Sequence, residues 1–120
     1  MILLNFGQKL QKIQFDQFNA LTSLSITEQI MIPVESSTEE DFHKRLDSMF
    51  EKVKLTDEEL QKEQFAIVPP PHSITAIKVI SDLFKRTGQF PIVIRTISST
   101  FGMTLGPMLG EVLDLEKLFK

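Results

Sequence analysis

The sequence predicts an α/β domain, a three-layer arrangement with a mainly parallel sheet, helices on both faces and an antiparallel strand at the C-terminal edge. Three observations lead there. Several apolar runs are of strand length and continuous rather than alternating, which is how strands read when helices cover both faces. These runs alternate with segments that carry helix signals, which implies right-handed crossovers and parallel strands. The last connection, Ser98 to Pro107, has no room for a long helix, so the strand after it pairs antiparallel at an edge.

The elements follow in order. Met1-Ile2-Leu3-Leu4-Asn5-Phe6 reads as a buried strand that begins at the first residue. It is too short and lacks the basic leader that a signal peptide needs. Leu10 to Ser23 is Gln-rich, with Ile13, Phe18 and Leu21 as a loose helical stripe. An apolar run gives a second strand at residues 28–33, with Pro33 at its end. Ser37 and Glu40 form a capping-box pattern, and Phe42, Leu46, Met49, Phe50 and Val53 then recur at helical spacing. Thr56 with Glu59 repeats the pattern and opens a short helix to about Lys62. Phe65-Ala66-Ile67-Val68 is the third strand, ended by Pro69-Pro70-Pro71. Ser73 is the expected N-cap of a helix whose apolar stripe is Ile74, Ile77, Ile80 and Phe84, closed by Lys85, Arg86 and Gly88. Residues 91–97 form the fourth strand and residues 108–114 the fifth, with Leu115 to Lys120 as a short tail.

A chain of 120 residues without an internal boundary is one domain spanning residues 1–120. With 42% hydrophobic and 24% charged residues it falls in the globular class. No run reaches the roughly 18–20 apolar residues of a membrane helix, so no membrane partner is expected. The chain contains no cysteine, which fits a cytoplasmic protein and removes disulfides, thiol nucleophiles and cysteine-ligated zinc. Tryptophan and tyrosine are also absent, against ten phenylalanines, so stacking falls to Phe6, Phe101 or His72. A net charge of −3 disfavours binding of long nucleic acid through a broad basic face. A local anion site remains compatible with that charge.

In an open α/β sheet the ligand site lies outside the carboxyl ends of the strands. The loop after the first strand offers Asn5, Phe6 and Gly7. Asn5 reads either as a turn-former bonding its own backbone or as an amide facing a ligand, and Gly7 lets backbone come close. Ser36 follows the second strand. After the third strand, Pro70, His72 and Ser73 combine a stiff connector with a helix start whose amides can meet a phosphate. Arg95, Thr96 and Ser98 end the fourth strand, where Arg95 is either a solvated arginine or a phosphate clamp. Lys9 and Lys12 stand at the rim. Phe101, Met103, Leu105 and Met108 make the last loop apolar, as core or as a partner surface. His43 is the only other histidine, so no metal site is expected and no cofactor is implied. There is no G-x-G-x-x-G, no Walker A sequence and no G-x-S-x-G elbow.

The opening Met-Ile-Leu-Leu-Asn-Phe, the apolar-Pro-Pro after the third strand and the segment Phe90-Pro91-Ile92-Val93-Ile94-Arg95 together resemble a small accessory family of type III CRISPR systems, in the Csx series. That family is related to the CARF (CRISPR-associated Rossmann fold) sensor domains and to ring nucleases. The resemblance runs over nearly the whole chain. It implies a Rossmann-like fold that binds cyclic oligoadenylate, with cyclic tetra-adenylate the expected ring, as a homodimer or a higher assembly formed on the ligand. Asn5, Phe6 and Gly7, then Pro70, His72 and Ser73, then Arg95, Thr96 and Ser98 fall at the matching positions. The segment Gln8 to Leu10 departs from the pattern, since a proline or an acid is expected there.

Three functions then compete. The first is sequestration of the ring, which lowers its free level. The second is a metal-independent ring nuclease giving a 2′,3′-cyclic phosphate, for which His72 and Arg95 are the candidate catalytic residues. No base is tied to a nucleophile by sequence, but an in-line 2′-hydroxyl needs little more than orientation and charge stabilisation. The third is a non-catalytic interaction module.

Overall fold

The computed structural model describes residues 1–32, 44, 57–97 and 108–119. Apart from residue 44, the helix expected from the Ser37–Glu40 capping box through Val53 lies outside the described residues, as do the loop 98–107, Ser36 and Ser98.

The described elements are β1 (Ile2–Asn5), α1 (Lys12–Thr22), β2 (Glu28–Met31), α2 (Asp57–Lys62), β3 (Phe65–Val68), α3 (Ser73–Thr87), β4 (Ile92–Ile97), β5 (Met108–Asp114) and α4 (Leu115–Phe119). They build one five-stranded sheet in the order β2-β1-β3-β4-β5. β1 is parallel to both β2 and β3, and β3 is parallel to β4. β5 returns antiparallel along β4. The mainly parallel sheet and its antiparallel C-terminal edge therefore match expectation. The residues expected to form a C-terminal tail make a short helix, α4, instead. Glu116 in its first turn accepts a 2.6 Å hydrogen bond from the Phe90 backbone N–H, which ties this turn to the start of β4.

Side chains alternate across the sheet and give it two cores. On one face Ile2, Leu4, Phe6, Phe65 and Ile67 pack with Val79 and Leu83 of α3. On the other, Leu3, Ala66, Val68, Ile92, Ile94 and Leu109 pack with Phe18 of α1. Every residue of β1 and β3 is buried, which explains their unbroken apolar sequence.

The buried stripes differ from those expected. In α3, Val79 and Leu83 are buried and Ile80 is partly so, whereas Ile74, Ile77 and Phe84 are exposed. At about 100° per residue, 79, 80, 83 and 87 share one side while 74 lies opposite it. The expected series of steps 3, 3 and 4 had drifted round the helix. The exposed ring of Phe84 is partly covered by Phe90, stacked on it at a centroid distance of 4.4 Å. In α1, Phe18 and Gln14 are buried, while Ile13 and Leu21 point outward. The buried Gln14 Oε1 accepts the backbone N–H of Gln11 at 2.7 Å, so a glutamine closes the N-terminus of α1 where no acid is present.

The ends of α3 are a third adjustment. His72, not Ser73, is the N-cap: its φ of −87° and ψ of 124° are extended, and its carbonyl accepts the N–H of Ala76. Ser73 is the first helical residue. Gly88 closes the helix in the left-handed region, φ 73°, as expected. Among the described residues no helix is long and apolar enough to cross a membrane.

Candidate functional site

The chain leaves β1 toward β2 in one direction and later crosses from β3 to β4 in the other, so the carboxyl ends of β1 and β3 flank the point where the winding reverses. The candidate residues gather at this end of the sheet, in three groups that meet different fates.

The loop after β1 is committed to the fold. Asn5 is fully buried. Its Nδ2 donates to the Gln8 carbonyl and to Gln29 Oε1, both at 2.8 Å. Its Oδ1 accepts the Gly7 N–H at 2.8 Å. The turn-forming reading of Asn5 is the one this geometry supports. Gln29 Oε1 also accepts the Leu10 N–H at 2.9 Å, so one β2 side chain holds both ends of the loop. Phe6 is 4% exposed and belongs to the core beside Ile32, which withdraws it as a stacking surface. Its hydrophobic ring is worth more beneath the helix than in water. Gly7 is exposed, and a Cβ there would stand 3.2 Å from Val68 Cγ1. The glycine thus allows the loop to close on β3.

The connection after β3 runs along the rim. Pro70 is buried, while Pro71, His72 and Ser73 are exposed. Three prolines hold the strand exit rigid and contribute no N–H. The amides of Ser73, Ile74 and Thr75 precede the first in-helix bond of α3, which runs from Ala76 to His72.

The end of β4 is open. The registers Asn5 with Val68 and Ile67 with Val93 put Arg95 level with Pro69. Arg95 stands opposite Glu111 of β5, and its Nη1 lies 3.0 Å from Glu111 Oε1. Both side chains are about 70% exposed (69% and 71%), so the pair is solvated and contributes little to stability. An anion that binds Arg95 has to compete with this carboxylate. Val93 packs with the α3-side core, so alternation puts Arg95 on that face and Thr96 on the other. Leu109 pairs with Thr96 and Glu111 with Arg95, which leaves Gly110 as the extra residue of a bulge. A Cβ at Gly110 would fall 2.8 Å from Ile97 Cγ1.

Between the proline ridge and this hairpin lies a cleft of about 410 Å³. Pro70, Val93, Arg95, Thr96, Glu111 and Leu113 are among the residues that line it. The fold therefore brings Pro70, Arg95 and Thr96 to one cavity. His72 and Ser73 lie outside that lining, as do Asn5, Phe6 and Gly7. Glu111 and Gln29 escaped the sequence reading: neither sits in a recognisable motif, and each acquires its role from a neighbouring strand. Among the described residues no group of three or more His, Cys, Asp or Glu could hold a metal ion.

Fold and cleft together define an α/β domain with a solvent-open, largely apolar cleft, edged by Arg95, Thr96 and Glu111, at the carboxyl end of its sheet. No protein-family model, no curated protein and no solved structure matches this chain.

Proposed function

We propose that this protein is a Rossmann-like, CARF-like domain that binds a cyclic oligoadenylate, with cyclic tetra-adenylate as the preferred ring, and lowers its free level by sequestration in type III CRISPR defence. The observation that carries the reading is the reversal of winding between β1 and β3, with the start of α3 and the Arg95 cleft on the same edge of the sheet. A cyclic oligoadenylate has one negative charge per phosphodiester. The α3 amides and Arg95 are the groups that meet those charges, with Arg95 exchanging Glu111 for a phosphate.

The roles divide by accessibility. Arg95 releases Glu111 and clamps a phosphate. His72 and Ser73 present an imidazole and a hydroxyl at the helix start, and His72 replaces Phe6 as the stacking group. Gly7 shapes the rim, and Asn5 holds that rim from within. The cleft is far smaller than a ring of four nucleotides, so two copies share one ring across a two-fold axis.

Purified protein in excess over labelled cyclic tri-, tetra- and hexa-adenylate, without metal, tests this reading. A shifted, intact ring is the expected result. A linear product with a 2′,3′-cyclic phosphate would instead show a ring nuclease, with His72 and Arg95 as the residues to vary. No shift with any ring leaves only an interaction module and ends both ligand readings.

A further inference from the structure

The cleft beside the proline ridge holds charges of both signs. Among the described residues that line it, Arg95 is the only basic side chain and Glu111 the only acidic one. Their contact is a consequence of the fold. They are directly opposed in the β4–β5 register, and residues opposed in this way share one face of the sheet. The ladder holds such Cα atoms about 4.5–5.5 Å apart. Glu111 can swing away from Arg95, but its carboxylate stays within one side-chain length of whatever the guanidinium binds. A phosphate clamp with a carboxylate fixed beside it loses affinity for every anion. That loss is unequal between anions.

An arginine alone rewards each negative charge brought to it, so it holds the most highly charged phosphate best. With a carboxylate at a similar distance, attraction and repulsion nearly cancel for each added charge. What survives is the directed hydrogen bonding of the guanidinium. The two free oxygens of a phosphodiester use that bonding as fully as a phosphomonoester does. Pro69, Pro70, Pro71, Val93 and Leu113 wall the cleft with apolar surface, which screens these charges less than open water would. The pair thus separates phosphates by charge rather than by shape.

We propose that Glu111 is a specificity-determining residue of this cleft: it makes the Arg95 site accept the singly charged phosphodiester and turn away phosphomonoesters and polyphosphates. The proposal rests on the reading of the cleft as a nucleotide site and adds what that site rejects. Mononucleotides and nucleoside triphosphates carry the same base and sugar as a cyclic oligoadenylate, and an unopposed arginine would be filled by them. Linear fragments that end in a phosphomonoester are turned away on the same ground, so the site follows the intact ring rather than its breakdown products.

The test uses probes that share one nucleoside: adenosine 5′-monophosphate, its methyl phosphodiester and adenosine triphosphate. A phosphomonoester carries about −1.5 to −2 near neutral pH, and its methyl ester one charge. Each probe is titrated into the full chain in metal-free buffer, and binding is read from protein NMR shifts. The parent is compared with Glu111→Gln, which removes the charge and keeps the shape, and with Asp16→Asn. Asp16 is exposed on α1, whose Phe18 packs against the opposite face of the sheet, so this variant changes net charge equally but away from the cleft. The parent is expected to bind the methyl ester at least as tightly as the monophosphate. Glu111→Gln tightens the monophosphate about fivefold or more relative to the ester, and the triphosphate further. Asp16→Asn leaves both ratios within about twofold. Because the exposed pair adds little to stability, Glu111→Gln remains folded, which circular dichroism checks. An unchanged ratio in Glu111→Gln overturns the proposal, as does an equal shift in Asp16→Asn. So does a parent that prefers the monophosphate or binds none of the three. Cyclic tetra-adenylate as a further probe separates the two readings. A chain that binds the ring without discriminating by charge overturns this proposal alone. One that discriminates among the three probes yet ignores the ring sinks the sequestration reading and leaves Glu111 in its role.

Discussion

The carboxyl edge of the sheet has two halves built on opposite principles. Around β1 and β2, the buried Asn5 side chain and the half-buried Gln29 side chain bond to each other and to the backbone of Gly7, Gln8 and Leu10. Around β4 and β5, Arg95 and Glu111 bond to each other in water. The first half resembles a hydrogen-bonded core, where losing one partner strands others at full desolvation cost. The second is an exposed pair whose loss the fold hardly registers. A polar residue at a strand end is thus no guide to function until its partners are known. The half that contributes least to stability is the half free to bind.

Substitutions can break this contrast. Asn5→Ala leaves the Gly7 N–H, the Gln8 carbonyl and one lone pair of Gln29 without their partner, so urea denaturation should show a loss of about 2–4 kcal/mol. A loss below about 0.5 kcal/mol, the range of an ordinary surface substitution, would place Asn5 with the open half. Gly110→Ala adds a methyl group against Ile97 and should cost about 1–3 kcal/mol through overpacking. Unchanged thermal stability there would mean that Ile97 yields freely and that the bulge is not confined.

Two smaller effects sharpen the contrast. Thr87 Oγ1, buried at the end of α3, donates to the Leu83 carbonyl at 2.7 Å and accepts the Gln89 N–H at 3.1 Å. Thr87→Val keeps the shape and loses those bonds, for about 1–2 kcal/mol in the same denaturation assay. Arg95→Ala should change stability by no more than about 0.5 kcal/mol while weakening ring binding at least about tenfold. An Arg95→Ala chain that binds as tightly as the parent would remove Arg95 from the site.

How much was legible in the sequence follows the same division. β3 and β5 fall at the expected residues, because a short apolar run bounded by three prolines, or by a loop and an acid, has few alternatives. The edge position and direction of β5 followed from the length of the connection before it. The apolar stripes of α1 and α3 were misplaced, because Gln14 and Thr87 are buried polar residues whose partners cannot be seen along the chain. The same limit applies to the site. Arg95 was recognisable as a cation at a strand end, but Glu111 enters only through the antiparallel register, which a ten-residue connection does not determine. Phe6 looked like an aromatic at a loop because strand alternation alone does not say which face α3 would cover.

The most direct measurement is calorimetric titration of the parent chain with cyclic tetra-adenylate in metal-free buffer, followed by analysis of the recovered ring. The account predicts saturable binding of one ring per two chains, with the ring recovered intact and the affinity reduced by Arg95→Ala. Absence of heat and of any retained ring at saturating protein would contradict it.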